Sequence, residues 1–147
     1  SIRHITRDAN DTIFIAMQYE GPVKDFPPLI AVHKQGKENL QLLAAPKNIQ
    51  QKMLNYCGSI CTDVSQKYFA VSSPKGGIIT FWNAEKLQYV RSLDVFDGCG
   101  ISAGSEAGSF LISSGDGRIF EMSVADSQQG LKTVMQLQTS WDNHLVR

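Results

Sequence analysis

Short apolar or alternating segments, each the length of a β-strand, follow one another along almost the whole chain. They are Thr12–Tyr19, Leu29–His33, Leu40–Ala44, Tyr68–Ser73, Ile78–Trp82, Tyr89–Val95, Phe110–Ser114, Arg118–Val124 and Leu131–Gln138. Most are rich in β-branched or aromatic residues, and Gly, Pro, Asn, Asp or Ser stand near their ends, the composition of strands punctuated by turns. Pro46 to Asn55 is the one stretch that reads as helical. Proline suits a first helical turn, and Ile49 and Met53 share a face at i, i+4 spacing. The pattern predicts an all-β protein with one short helix.

The strands repeat. Ser109-Phe110-Leu111-Ile112-Ser113-Ser114-Gly115-Asp116-Gly117-Arg118-Ile119-Phe120 aligns without a gap on Tyr68-Phe69-Ala70-Val71-Ser72-Ser73-Pro74-Lys75-Gly76-Gly77-Ile78-Ile79, at an offset of 41 residues. The same offset places Ile101 on Ile60 and Ala125 on Ala84. A period near 40 with several strands per unit is the signature of propeller blades. A third copy lies upstream, where Ile5 and Phe14 match Ile60 and Phe69 at an offset of 55 residues; the Gly21–Pro28 loop and the helix account for the longer interval. Each copy reads as four strands that become more polar outward. The first begins near Ile5, Ile60 or Ile101, and Gly-containing tight turns at 74–77 and 115–117 join the second to the third.

The fold expected is therefore a partial β-propeller of about three four-stranded antiparallel blades plus the first strand of a further blade. Blade boundaries fall at approximately 3–46, 58–97 and 99–140, with 141–147 opening the next blade. A β-sandwich would fit the strand count but gives no reason for the internal match.

Composition narrows the function classes. The 147 residues carry 14 Lys plus Arg against 14 Asp plus Glu, so no basic footprint for nucleic acid or an anionic membrane is expected. No apolar run approaches the roughly 20 residues of a membrane span. The chain begins at Ser1 without an initiator methionine, as a processed product or a piece of a longer protein would. Three cysteines cannot all pair internally, and Cys57 and Cys61 on one extended segment would lie about 13 Å apart, too far to bridge. Both read as small core residues. Gly115-Asp116-Gly117 lacks the following helix and the Lys-Ser/Thr partner of a phosphate loop and reads as a hairpin turn. No nucleophile elbow or paired-carboxylate set stands out, so no catalytic residue is assigned.

Several blocks, in order along nearly the whole chain, carry a family resemblance. Ser1-Ile2-Arg3-His4, Asn55-Tyr56 with Gly58-Ser59, Ser73-Pro74-Lys75-Gly76-Gly77 with Phe81-Trp82, Cys99-Gly100, and Trp141-Asp142-Asn143-His144-Leu145 resemble the C-terminal half of the bacterial domain of unknown function 1513 family. That resemblance implies WD40-like or YVTN-like propeller repeats, a full-length protein about twice this size of which this chain is the C-terminal part, and twin-arginine export to the periplasm. It also implies a setting beside iron-acquisition components; the family's activity is not established, so no catalytic residues are carried over from it.

The candidate site follows from the repeat. In a propeller, the first strand of each blade lines the central channel, so the residues that precede these strands should converge at its mouth. His4, Ser59 and Gly100 directly precede Ile5, Ile60 and Ile101, and Asn143-His144 precedes Leu145. The expected ligand-binding set is Arg3, His4, Tyr56, Ser59, Cys99, Asn143 and His144, with Asp97 nearby. His4, Cys99 and His144 are also a plausible ligand set for a transition metal such as zinc, copper or iron. The alternative is that these groups hydrogen-bond loop carbonyls and hold neighbouring blades in register. His33, outside this set, reads as an exposed polar residue, and Trp82 and Trp141 as blade-packing aromatics. The partners expected are a protein or small-molecule ligand, together with the remaining blades of the full-length protein or a second copy of the chain. The reading is a binding scaffold; the competing one is a metal-binding protein or an enzyme using the His/Cys ring.

Overall fold

The computed structural model describes residues 1–125 and 130–141. In chain order the elements are β1 (Ile2–Arg7), β2 (Ile13–Met17), β3 (Ile30–His33), β4 (Gln41–Leu43), α1 (Lys47–Lys52), β5 (Ile60–Thr62), β6 (Tyr68–Ser73), β7 (Ile78–Asn83), β8 (Gln88–Asp94), β9 (Gly98–Ala103), β10 (Ser109–Ser114), β11 (Arg118–Ser123) and β12 (Lys132–Gln136). They form three four-stranded antiparallel sheets in simple sequence order, β1-β2-β3-β4, β5-β6-β7-β8 and β9-β10-β11-β12. The innermost strands β1, β5 and β9 lie side by side.

Two cores fill the spaces between neighbouring sheets. The first joins Phe14, Ala16, Ile30 and Val32 to Ile60, Phe69, Val71 and Trp82. The second joins Ala70, Ile79 and Phe81 to Ile101, Phe110, Ile112, Phe120 and Met122. Side chains alternate across a pleated strand, so β6 and β7 send Phe69, Val71 and Trp82 one way and Ala70, Ile79 and Phe81 the other. The middle strands β6 and β7 are thus covered on both faces, which explains their largely apolar sequences. Trp82 lies parallel to Phe69 at 6.0 Å between ring centroids and donates its Nε1–H to Thr80 Oγ1 at 3.0 Å. β12, by contrast, is exposed along its whole length.

One repeat match shifts by a residue. Ile5 pairs with Ile15, Ile60 with Val71 and Ile101 with Ile112, so the inner-strand isoleucines do correspond. The second-strand counterpart of Val71 is then Ile15, which puts Phe14 in the place of Ala70 rather than of Phe69. The β1–β2 turn is one residue shorter than its counterparts, and a single-residue slip sends a strand's side chains to the opposite face. Phe14 therefore meets Phe69 across the first core, 4.5 Å between centroids, instead of occupying the equivalent position.

Helix α1 fills the connection from the first sheet to the second. Pro46 precedes it, and Met53 at its end is fully buried. Leu54 and Asn55 then take left-handed backbone conformations, φ 49° and 57°, which stop the helix. The β6–β7 turn, a short 3₁₀ segment at Pro74–Gly76, closes on the left-handed Gly77 and presses on the helix end. A methyl group on Gly76 would overlap the Lys52 carbonyl oxygen, so glycine is required there by close approach. Among the described residues no helix is long and apolar enough to cross a membrane.

Candidate functional site at the head of the inner strands

β1, β5 and β9 all start at the same end of the three sheets, where the β2–β3, β6–β7 and β10–β11 turns and α1 also lie. Most of the polar groups behind this end are engaged in joining one sheet to the next. The Ile60 amide donates to Nδ1 of His4 at 3.3 Å. One sheet further on, the Ile101 amide donates to Oγ of Ser59 at the same distance. His4 and Ser59, equivalent in the repeat, thus perform the same task between successive inner strands.

A second belt reinforces the first. Ser72 Oγ accepts from the Ser59 amide at 2.8 Å and donates to the Cys99 carbonyl at 2.6 Å, tying β5, β6 and β9 together. Its repeat partner Ser113 accepts from the Gly100 amide at 3.0 Å. Ser59, Ser72 and Ser113 are buried, so the hydroxyls satisfy backbone groups that water does not reach. Cys99 is also buried, its Sγ–H directed at the Asp97 carbonyl at 3.0 Å.

Arg3 and Tyr56 stand outside this belt and come together. Arg3 Nη2 donates to the Tyr56 hydroxyl at 3.2 Å, and the guanidinium carbon is 5.3 Å from the ring centroid. Lys75 Nζ lies 4.7 Å from the same centroid. Two cations therefore meet on one aromatic ring, a favourable use of its negative face. Lys75 was not among the residues singled out from sequence. The signal was there: a β6–β7 turn must lie at the end where β5 begins, because antiparallel strands alternate direction. Beside Lys75 a groove of about 420 Å³ is lined by Tyr19, Glu20, Val23, Phe26, Leu54 and Asn55, among others.

The expected set is thus divided. Arg3 and Tyr56 are in contact; His4, Ser59 and Cys99 lie in the belt beneath them; Asn143 and His144 lie outside the described residues. Among the described residues no three His, Cys, Asp or Glu side chains gather as a metal would need. His33, expected to be exposed, is half-buried, with Nε2 at 2.8 Å from the Lys37 carbonyl. Of the two cysteines read as core, Cys57 is fully buried, and burial pushes its thiol up to about 12. Cys61 differs from that expectation: it is half-buried and lines a groove of about 410 Å³ along the inner strands, with His4, Ile5, Ile60 and Ile101. Burial raises its thiol too.

The other polar hub lies at the opposite end. Asp63 is buried, and its carboxylate accepts from the Ser65 hydroxyl at 2.5 Å, the Gly108 amide at 2.8 Å and the Tyr68 amide at 2.9 Å. The Gly108 bond crosses from the second sheet to the third. Burial acts to raise this carboxyl, but the Ser65 hydroxyl and the surrounding amides outweigh it and hold it below its ordinary value.

Three solved structures that share this arrangement belong to chains of much greater length. The chain superimposes on "Crystal structure of RRP9 WD40 repeats" with a TM-score of 0.68 and 18% identity, over 95% of this chain and 40% of that one. It matches "Kuenenia stuttgartiensis Hydrazine Synthase" with a TM-score of 0.71 and 9% identity, over 97% and 38%. A chain of "Crystal Structure of Mitotic Checkpoint Complex" matches with a TM-score of 0.69 and 11% identity, over 95% and 39%. The chain therefore spans about 40% of the length of these relatives in fold, and its three sheets are WD40-like blades. No curated protein matches it. Over its whole length, residues 1–147, the chain matches and belongs to the family described as "Protein of unknown function (DUF1513)".

Proposed function

We propose that this chain is part of a larger propeller that acts as a binding scaffold, with its ligand or protein partner held at the head of the inner strands. The observation that carries this reading is the division of labour just described. His4, Ser59 and Ser72 hold neighbouring blades in register, and Ser113 repeats the bond within the third blade. Arg3, Tyr56 and Lys75 project at the same end, beside exposed Ile2, Val23, Leu54 and Phe96. A rigid platform that presents mixed apolar and cationic groups is suited to recognition. The exported setting beside iron-acquisition components is supported by the family resemblance.

The rest of the ring is proposed from the first blade. The row Ile5–Ile15–Ala31–Leu42 crosses all four of its strands. It corresponds to the rows Ile60–Val71–Thr80–Ser92 and Ile101–Ile112–Phe120–Thr133, each of which faces the preceding sheet. The ends of this row, Ile5 and Leu42, are 54% and 57% exposed, with Ile15 and Ala31 buried between them, whereas Ile60 and Ile101 are each 2% exposed. A preceding blade would complete this face.

Photo-crosslinking in the producing cell tests the scaffold reading. A benzophenone side chain at Leu54 or Phe96 should give a defined adduct, and one at Asn10 or Glu85, at the opposite end, should not. Equal labelling from both ends would remove the assignment.

A further inference from the structure

We infer that the Arg3–Tyr56–Lys75 cluster receives a carboxylate from an acidic peptide segment of a partner protein whose apolar side chains enter the adjoining groove. This rests on the scaffold reading and specifies the chemistry of its partner.

Charge is the first ground. The ion pairs among the described residues are Arg7–Asp11, Lys52–Asp94 and Arg118–Asp116, so Arg3 and Lys75 have no carboxylate partner there. Two like charges drawn to one ring repel each other, and an anion placed between them relieves that repulsion. Arg3 is also oriented by its bond to the Tyr56 hydroxyl, which leaves its remaining N–H donors for a planar acceptor. Glu20, the carboxylate that shares the groove with Lys75, forms no ion pair with it among the described residues.

The apolar surroundings are the second ground. Ile2 adjoins Arg3 and is 63% exposed; Val23 and Leu54 line the groove beside Lys75 and are 82% and 53% exposed. A small inorganic anion would use the cations and leave that surface wet. A peptide with alternating acidic and apolar side chains engages both.

The test is fluorescence anisotropy of the full chain with a fluorescein-labelled peptide of alternating Glu and Leu, compared with its Gln and Leu counterpart. The Glu peptide should bind about tenfold more tightly, and Arg3→Gln with Lys75→Gln should remove that advantage. Arg3→Lys should keep only part of it, since the charge remains but the planar donors do not, and added salt should weaken binding. Equal affinity for the two peptides, or an unaltered double variant, overturns the inference. So does displacement by inorganic phosphate at concentrations matching the peptide's, which would mark a phosphate site instead. If the peptides fail while Leu54 still crosslinks a partner, only the acidic-peptide assignment falls; if both fail, the scaffold reading falls with it.

Discussion

The Ile60 amide and the His4 imidazole are joined at 3.3 Å, so a hydrogen bond links the innermost strands of two different blades. Replacing His4 by Ala would leave that amide without its acceptor at a partly buried position. A loss of about 1 kcal/mol in unfolding free energy is expected by urea denaturation. His4→Asn, whose Oδ1 can stand in for Nδ1, should recover most of it. A His4→Ala protein as stable as the parent would show that the bond contributes nothing.

Asp63 should make stability depend on acid. Its carboxyl is held below the ordinary value in the folded protein, so near pH 4 the unfolded chain binds more protons than the folded one. The resulting stability is complete above that range and is lost as pH falls through the folded value. Asp63→Asn should cost about 2 kcal/mol at neutral pH, because a carboxamide cannot accept from all of these donors. It should also flatten the decline in stability below about pH 4. Parallel pH profiles for parent and variant would contradict the assignment.

The exposed ends of this row on the first blade, Ile5 and Leu42, should drive association of the isolated chain. Burying an isoleucine or leucine side chain is worth about 2 kcal/mol, and Ile5 and Leu42 are both more than half exposed. Sedimentation equilibrium of the parent should give a mass above that of one chain, and Ile5→Glu with Leu42→Glu should return it to the monomer value. A parent that stays monomeric at high concentration would argue against the missing-blade reading.

Thiol reactivity offers a cheap check on the packing. Cys57 is fully buried and its thiol is pushed up to about 12, so a thiol reagent at mildly alkaline pH should reach it only after unfolding. Cys61, half-buried in the inner groove, should be modified first. Mass mapping of the labelled sites decides the order, and rapid modification of native Cys57 would mean that the first core is not closed.

The blades were legible because their inner strands carry matching isoleucines and because Ser72-Ser73 and Ser113-Ser114 recur at the 41-residue offset. The third copy was placed by identity alone, and there sequence misled: Phe14 looks like Phe69, but pairing is counted from the turn, and that turn is a residue short. Identity between repeats cannot register a one-residue slip, whereas a sheet turns it into a reversal of face. The candidate site was legible as an end of the molecule more than as a set of groups. His4 and Ser59 were found by position, yet their hydrogen bonds run sideways to the next blade, which a linear alignment does not show. Lys75 was hidden in a turn assigned to backbone geometry.

The middle blade has no face of its own, and this bears on how the protein comes apart. Phe69 and Trp82 are sheltered only while the first blade is in place, and Phe81 only while the third is. Loss of either neighbour would wet the centre and weaken its hold on the other. Unfolding should therefore spread from blade to blade as one event, with no resting stage in which the central sheet survives alone.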